Sequence, residues 1–177
     1  MDVVEQPIVG VRLAEPERHE DDRGWLAEVF RAGNVGIEVP VRQANLSVSR
    51  AGVLRGLHFH KRQYDYWILV AGRIRVGLAD LRQDSPSRGK GLALDLTEGQ
   101  AVLIPPGVAH GFYALTDCRL LYLVTEYFTG RDEYSVRWDD PDLAVPWNLE
   151  AAPVLSPRDA SAPRLEELDP KDLPQHL

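Results

Sequence analysis

Residues 55–65, RGLHFHKRQYD, form the densest polar cluster in the chain, set among otherwise apolar segments. Its chemistry is that of proton transfer or ion binding. A neutral imidazole accepts a proton near pH 7 or gives its lone pair to a metal. A guanidinium fork matches the oxygens of a phosphate. His58 and His60 stand two apart, so on a strand they face the same side. One histidine in an apolar strand is more often a satisfied core residue than a catalyst. Two histidines beside Arg55 point to a site.

The segments that must hold this cluster read as short strands. Turn sequences such as DDRG, VAGR, SPSRGKG, TEGQ, PPG and FTGRDE recur between runs rich in Val, Ile, Leu, Tyr and Trp. That spacing marks an all-β sandwich or barrel. Residues 43–49, QANLSVS, alternate polar side chains with Ala44, Leu46 and Val48, which gives a strand with one polar and one apolar face. Residues 67–81 read as two strands about an Ala71-Gly72 turn, and 119–128, RLLYLVTEYF, as another strand. After about residue 150 the chain becomes proline-rich and charged; Ser161 to Leu168 is expected as a short helix. The expected architecture is one all-β domain over residues 1–177, a jelly-roll β-sandwich enclosing a pocket. Its core runs over about 8–150, and a helical or extended tail, 151–177, packs on it.

Composition narrows the partners. With 177 residues and a net charge of −7, the chain suits one domain and makes a poor general nucleic-acid binder. A local basic pocket for one phosphate ester is still allowed. Cys118 is the only cysteine, which excludes an internal disulfide and a CxxC-type zinc site, and it is expected to be half-buried. There is no apolar run of the ~18 residues needed to span a membrane. MDVVEQP lacks the basic start and apolar core of a signal peptide. A cytoplasmic protein without nucleic-acid or membrane partners is expected.

Gly52, His58, His60, Asp65 and Gly72 resemble, by their spacing, the first cupin motif, with Asp where that motif has Glu; Gly99, Pro105, Gly107 and His110 resemble the second. A closer resemblance covers residues 8 to about 166. DDRGWLAEVF (21–30), QANLSVSRAGVLRGLHF (43–59), IPPGVAHGFYAL (104–115), RWDDPDLAVPW (137–147) and LSPRDASAP (155–163) are similar to the dTDP-4-dehydrorhamnose 3,5-epimerase family. The resemblance implies a cupin jelly roll, a homodimer, and an isomerase of deoxysugar biosynthesis that needs no metal or other cofactor. Its substrate would be a dTDP-linked 4-keto-6-deoxyhexose, epimerised at C3, C5 or both. By motif match His58 is the base, Asp159 its carboxylate partner and Tyr122 the proton donor. Arg23, Glu28, Gln43, Asn45, Arg55, His110, Glu133 and Arg158 would bind the substrate, with Arg23, Arg55 and Arg158 about the diphosphate. The segment Ile8 to Leu13 is expected at the dimer interface.

Three positions depart from the family pattern. Asp65 stands where a lysine is usual, His60 is an added histidine, and Phe128 occupies the slot of a second tyrosine. The lysine's role is to meet negative charge on the sugar O4. An ionised aspartate at ~4 Å would oppose that charge by about 4 kcal/mol at an effective dielectric near 20. Asp65 must therefore be protonated, turned away, paired with a cation such as Lys61 or Arg62, or bound to a metal. Two other functions follow from the same residues: a metal-dependent cupin enzyme using His58, His60, Asp65 and His110, or a non-catalytic sugar-nucleotide binding protein. Against the metal stands the fact that a ligating His58 could not also accept a proton. The loss of the second tyrosine makes a C3-only epimerase a further expectation.

Overall fold

Apolar and β-branched runs become strands wherever a glycine or proline turn lets the chain reverse. A computed structural model describes residues 1–36 and 40–175. Its strands are β1 (Asp2–Glu5), β2 (Arg12–Glu15), β3 (Arg18–Asp21), β4 (Gly24–Ala27), β5 (Gln43–Ser49), β6 (Leu54–Phe59), β7 (Asp65–Ala71), β8 (Arg73–Asp80), β9 (Gly91–Thr97), β10 (Ala101–Ile104), β11 (Val108–Ala114), β12 (Cys118–Val124) and β13 (Tyr134–Ser135). One-turn helices lie at α1 (Ala32–Val35) and α2 (Pro157–Ala160).

Two antiparallel sheets face each other, in the order β1-β2-β10-β7-β12-β5 and β13-β6-β11-β8-β9; β3 and β4 form a separate hairpin. From β5 to β8 each strand passes to the opposite sheet. This is the cupin jelly roll expected from the sequence. The Ala71-Gly72 turn does join two strands, β7 and β8, but they belong to different sheets, so it is a corner and not a hairpin. Gly72 has φ 90°, and a Cβ there would lie 2.3 Å from the Asp117 carbonyl oxygen, so only glycine fits.

Trp67, Leu69, Ile74, Val76, Leu78, Leu96, Val102, Phe112 and Leu120 fill the space between the sheets. Cys118 is buried there, deeper than expected. Ile8 and Val11 are fully buried in the same core. Of the segment Ile8 to Leu13, these two side chains are therefore spent on their own chain's core, while Val9 is exposed and Arg12 and Leu13 are part-exposed. Strand β12 ends at Val124, four residues short of the expected end, and Tyr127 and Phe128 beyond it are exposed. The tail helix is also shorter than expected: only Leu165–Glu167 forms a 3-10 turn, with a second at Pro170–Asp172. Leu165 and Leu168 pack against the outer cluster around Leu54, Phe59 and Trp147, which docks the tail on the five-stranded sheet.

The period-two pattern of β5 is real, but its faces run opposite to the usual sense. Gln43, Asn45 and Ser47 point toward the interior, while Leu46 and Val48 are 62% and 64% exposed. A polar inner face needs a polar lining to meet, and a bare apolar outer face needs a cover.

Candidate functional site

The polar face of β5 lines a cavity of about 390 Å³ between the sheets, a size suited to a small organic ligand. The six-stranded sheet contributes Gln43, Asn45, Asp65, Trp67 and Tyr122; the five-stranded sheet contributes Arg55, His58 and His110. Tyr122 pairs in register with Asn45 on one side and Trp67 on the other. His58 pairs directly with His110. His60, just past β6, Gln63, Ser47 of β5 and Glu133, just before β13, add to the polar lining.

Strand alternation alone would put Arg55 and His58 on opposite faces, since they are three apart. The β6–β11 register slips between them: His110 pairs with His58 but Phe112 with Arg55. The extra β6 residue is a bulge that returns Arg55 to the cavity side. Gly56 permits it, with φ 120° and a would-be Cβ only 2.6 Å from the Gly111 Cα. Gly56→Ala should therefore cost about 1–3 kcal/mol in backbone strain alone. Denaturant unfolding measures it, and an unchanged midpoint would show that the bulge does not depend on the glycine.

His58 Nε2 lies 2.7 Å from Asp159 Oδ1. Asp159 is buried on α2, although the sequence around it reads as an exposed tail. Ser156 caps that turn: its hydroxyl accepts from the Asp159 N–H at 3.1 Å and donates to Asp159 Oδ2 at 2.8 Å. Burial pushes the Asp159 carboxyl up. The hydrogen bond and charge of His58, the Ser156 hydroxyl and the Gly56 backbone N–H outweigh that and hold it below the ordinary carboxylate value. Asp159 is therefore ionised at neutral pH and can fix the imidazole in one tautomer.

Because the unfolded carboxyl binds its proton first, this contact stabilises the fold fully above pH ~4 and less as pH falls through the lower folded value. Asp159→Asn should remove that acid-sensitive contribution, measured as a flatter stability–pH curve below pH ~4. It should also slow any reaction that uses His58 by about 10–100-fold, since the imidazole remains. A wild-type rate would separate the carboxylate from the chemistry.

A second cluster adjoins the first. The imidazoles of His60 and His110 and the carboxylate of Asp65 each offer a ligand atom, all within 4.8 Å of one another, and all three residues are buried. His60 Nδ1 lies 2.5 Å from the Asp132 carbonyl and His110 Nδ1 2.9 Å from the Val108 carbonyl. Asp65 accepts from Gln63 Nε2 at 3.0 Å and Trp67 Nε1 at 3.4 Å. Burial pushes His110 down to about 4, with Asp65 pulling the other way, so it is neutral at neutral pH. Burial also pushes Tyr122 up, helped by the charges of Asp65 and Glu133 and opposed by Arg55; its phenol keeps its proton.

Of the site residues named from the sequence, His58, Tyr122, Gln43, Asn45, Arg55, His110 and Glu133 line the cavity, and Asp159 stands behind His58. Arg158 sits at the rim, 2.9 Å from Glu133 and bonded to Ser135. Arg23 and Glu28 do not reach the cavity of their own chain. Arg23 is exposed at the β3–β4 hairpin and pairs with Asp21; Glu28 pairs with Arg31. The three arginines expected about a diphosphate are therefore not gathered within one chain. Lys61 turns to the Lys171 carbonyl at 2.7 Å, and the exposed Arg62 to Asp132. Asp65 is not turned away: it lines the cavity.

Sequence reasoning missed Trp67, Gln63, Asp132 and Ser156. Trp67 was findable, because it shares parity with Asp65. So was Ser156, as a serine followed by proline at the start of a helical turn.

The family model for dTDP-4-dehydrorhamnose 3,5-epimerase matches residues 5–167. An enzyme of that name from Mycobacterium tuberculosis (strain ATCC 25618 / H37Rv) is 38% identical over 176 residues, covering 93% of this chain and 87% of that one. The crystal structure of dTDP-6-deoxy-D-glucose-3,5-epimerase RmlC from Legionella pneumophila Philadelphia 1, in complex with dTDP-4-keto-L-rhamnose, superposes with a TM-score of 0.93 at 32% identity. It covers 99% of this chain and 98% of the other. ChmJ, a 3'-monoepimerase from Streptomyces bikiniensis in complex with dTDP-quinovose, superposes at 0.83 with 34% identity, over 90% of this chain and 85% of its own.

Proposed function

This chain belongs to the dTDP-4-dehydrorhamnose 3,5-epimerase family, and from that membership we propose that it inverts C3, C5 or both in a dTDP-linked 4-keto-6-deoxyhexose. One observation supports the reading above the others: the His58–Asp159 pair and the Tyr122 phenol stand on facing sheets, with the cavity between them. Epimerisation needs that opposition. The ketone acidifies the neighbouring C–H bond; His58 takes the proton from one side, and the electron pair moves into an enolate whose charge rests on the ketone oxygen. Tyr122 then returns a proton to the opposite side of the same carbon, which re-forms the ketone with inverted configuration. Solvent reprotonates Tyr122 and removes the proton from His58.

Incubation of the purified chain with a dTDP-4-keto-6-deoxyhexose in D₂O tests this directly. Deuterium at C3, C5 or both, with inversion, is the expected result. Absence of deuterium from both carbons, with dTDP still bound, would replace the enzyme by a sugar-nucleotide binding protein.

The proposal includes a homodimer. The bare apolar face of β5 and the exposed Trp25 and Leu26 of the β3–β4 hairpin are surfaces a second copy would cover. In such a dimer Arg23 and Glu28, which do not reach their own cavity, would be free to reach the partner's. A cytoplasmic location, expected from the sequence, is part of the same reading. Among the described residues no helix is long and apolar enough to cross a membrane.

A further inference from the structure

We propose that His60, Asp65 and His110 form a subsite for a primary ammonium group, opening on the cavity. The carrier of that group rests on the epimerase reading above: an amino-substituted dTDP-linked 4-keto-6-deoxyhexose, with the amine at C2 or C3.

Three features of the cluster support it. The first is hydrogen-bond polarity. Carbonyl oxygens only accept, so the Nδ1 atoms of His60 and His110, which face the Asp132 and Val108 carbonyls, carry hydrogens. In the neutral rings Nε2 is then the atom left to offer, and it offers a lone pair. Asp65 is held by Gln63 and Trp67, yet stands 3.7 Å from His60 Nε2, too far for a hydrogen bond. The three residues thus gather acceptors and bring no donor of their own. A ketone or a phosphate, which only accepts, finds nothing to bond there. An –NH₃⁺ group brings three donors, one for each residue.

The second feature is spacing. Acceptors about 2.9 Å from one nitrogen, at tetrahedral angles, stand roughly 4.7 Å from one another. The atoms that these three buried residues offer all lie within 4.8 Å of one another. An ammonium therefore seats among them without moving a strand. The third feature is charge. Asp65 and Glu133 bring negative charge to the cavity, and among the described residues Arg55 is the only lysine or arginine lining it, bonded to Ser49. His110 adds no positive charge at neutral pH, since burial pushes it down to about 4. A buried carboxylate attracts a cation where water screens little.

On the epimerase reading the same group has a use. His110 pairs with His58 across the β6–β11 ladder, so the subsite adjoins the base. An ammonium held there lies beside the forming enolate and offsets its charge, which two carboxylates would otherwise oppose. A hydroxyl in its place donates one hydrogen bond and leaves Asp65 without a counter-charge. The cavity therefore favours the amine over the hydroxyl.

Calorimetry on the full chain at pH 7 tests it with stable ligands: dTDP-6-deoxyglucose, and its analogues carrying an amino group in place of the hydroxyl at C2 or at C3. One of the two amino analogues should bind about 10–100-fold tighter than the parent, the gain of a charge-assisted over a neutral hydrogen bond. N-acetylation of that analogue, which removes the charge, should abolish the gain. Asp65→Asn, shown to be folded by circular dichroism, should bring the amino-to-hydroxyl affinity ratio to within about threefold of one. If that variant does not fold, the acetyl comparison in the unaltered protein decides alone. Amino analogues that bind no tighter than the parent would overturn the subsite, as would a gain that survives acetylation or Asp65→Asn. Deuterium exchange on the matching 4-keto sugars separates the two readings. Exchange without an amine preference removes the subsite and keeps the epimerase. An amine preference without exchange on either 4-keto sugar keeps the subsite and removes the epimerase, and binding of none of these ligands overturns both.

Discussion

His58→Ala should abolish deuterium incorporation at both C3 and C5 while leaving dTDP binding largely intact. His58 is the group in the cavity that has a lone pair to offer and a buried, ionised carboxylate to hold its tautomer. General-base removal costs typically about 10²–10⁴-fold, and alanine leaves no group to stand in for it. Arg55 and the polar face of β5 are untouched, so nucleotide affinity measured by calorimetry should change little. His110, opposite His58 in the ladder, cannot substitute, because burial pushes it down to about 4 and makes it a far weaker base. Exchange at the wild-type rate in this variant would sink the acid–base assignment and with it the proposed mechanism.

Tyr122→Phe should separate exchange from inversion. Phenylalanine keeps the ring, which packs against the inter-sheet core, and removes only the phenolic proton. His58 can still abstract a proton and return a deuteron to the same side, so label should enter with retained configuration. Inverted product should fall by about 10²–10³-fold. Above neutral pH the wild type should keep its inverting activity, because burial and the charges of Asp65 and Glu133 delay ionisation of the phenol. Equal losses of exchange and inversion would make Tyr122 a packing residue. Phe128 lines the same cavity and has no proton to give, so a single inverted carbon is the expected product pattern.

The fold class was legible in the sequence because a period of two and closely spaced turn residues are local properties. QANLSVS alternates whatever surrounds it, and Gly72 demands a turn at any sheet corner. His58 and His60 could be placed on one face by parity. The assignments of Asp159 and Tyr122 came from family likeness, since nothing in SPRD or LLYLV by itself separates a site from a tail turn or a core strand.

Tertiary structure alone decided the rest, in each case because the deciding contact joins residues far apart in the chain. Asp159 becomes a buried partner through a bond spanning 101 positions. Arg55 reaches the cavity only because Gly56 and Gly111 pack backbone to backbone and add a bulge that parity cannot foresee. Alternation in β5 could not say which face is inside; the answer came from what the facing sheet brings to the cavity. The same holds for the polar cluster beside the base. Spacing grouped His58, His60, Asp65 and His110, and a carboxylate from the far end of the chain drew His58 away, leaving His60, Asp65 and His110 as a separate buried group.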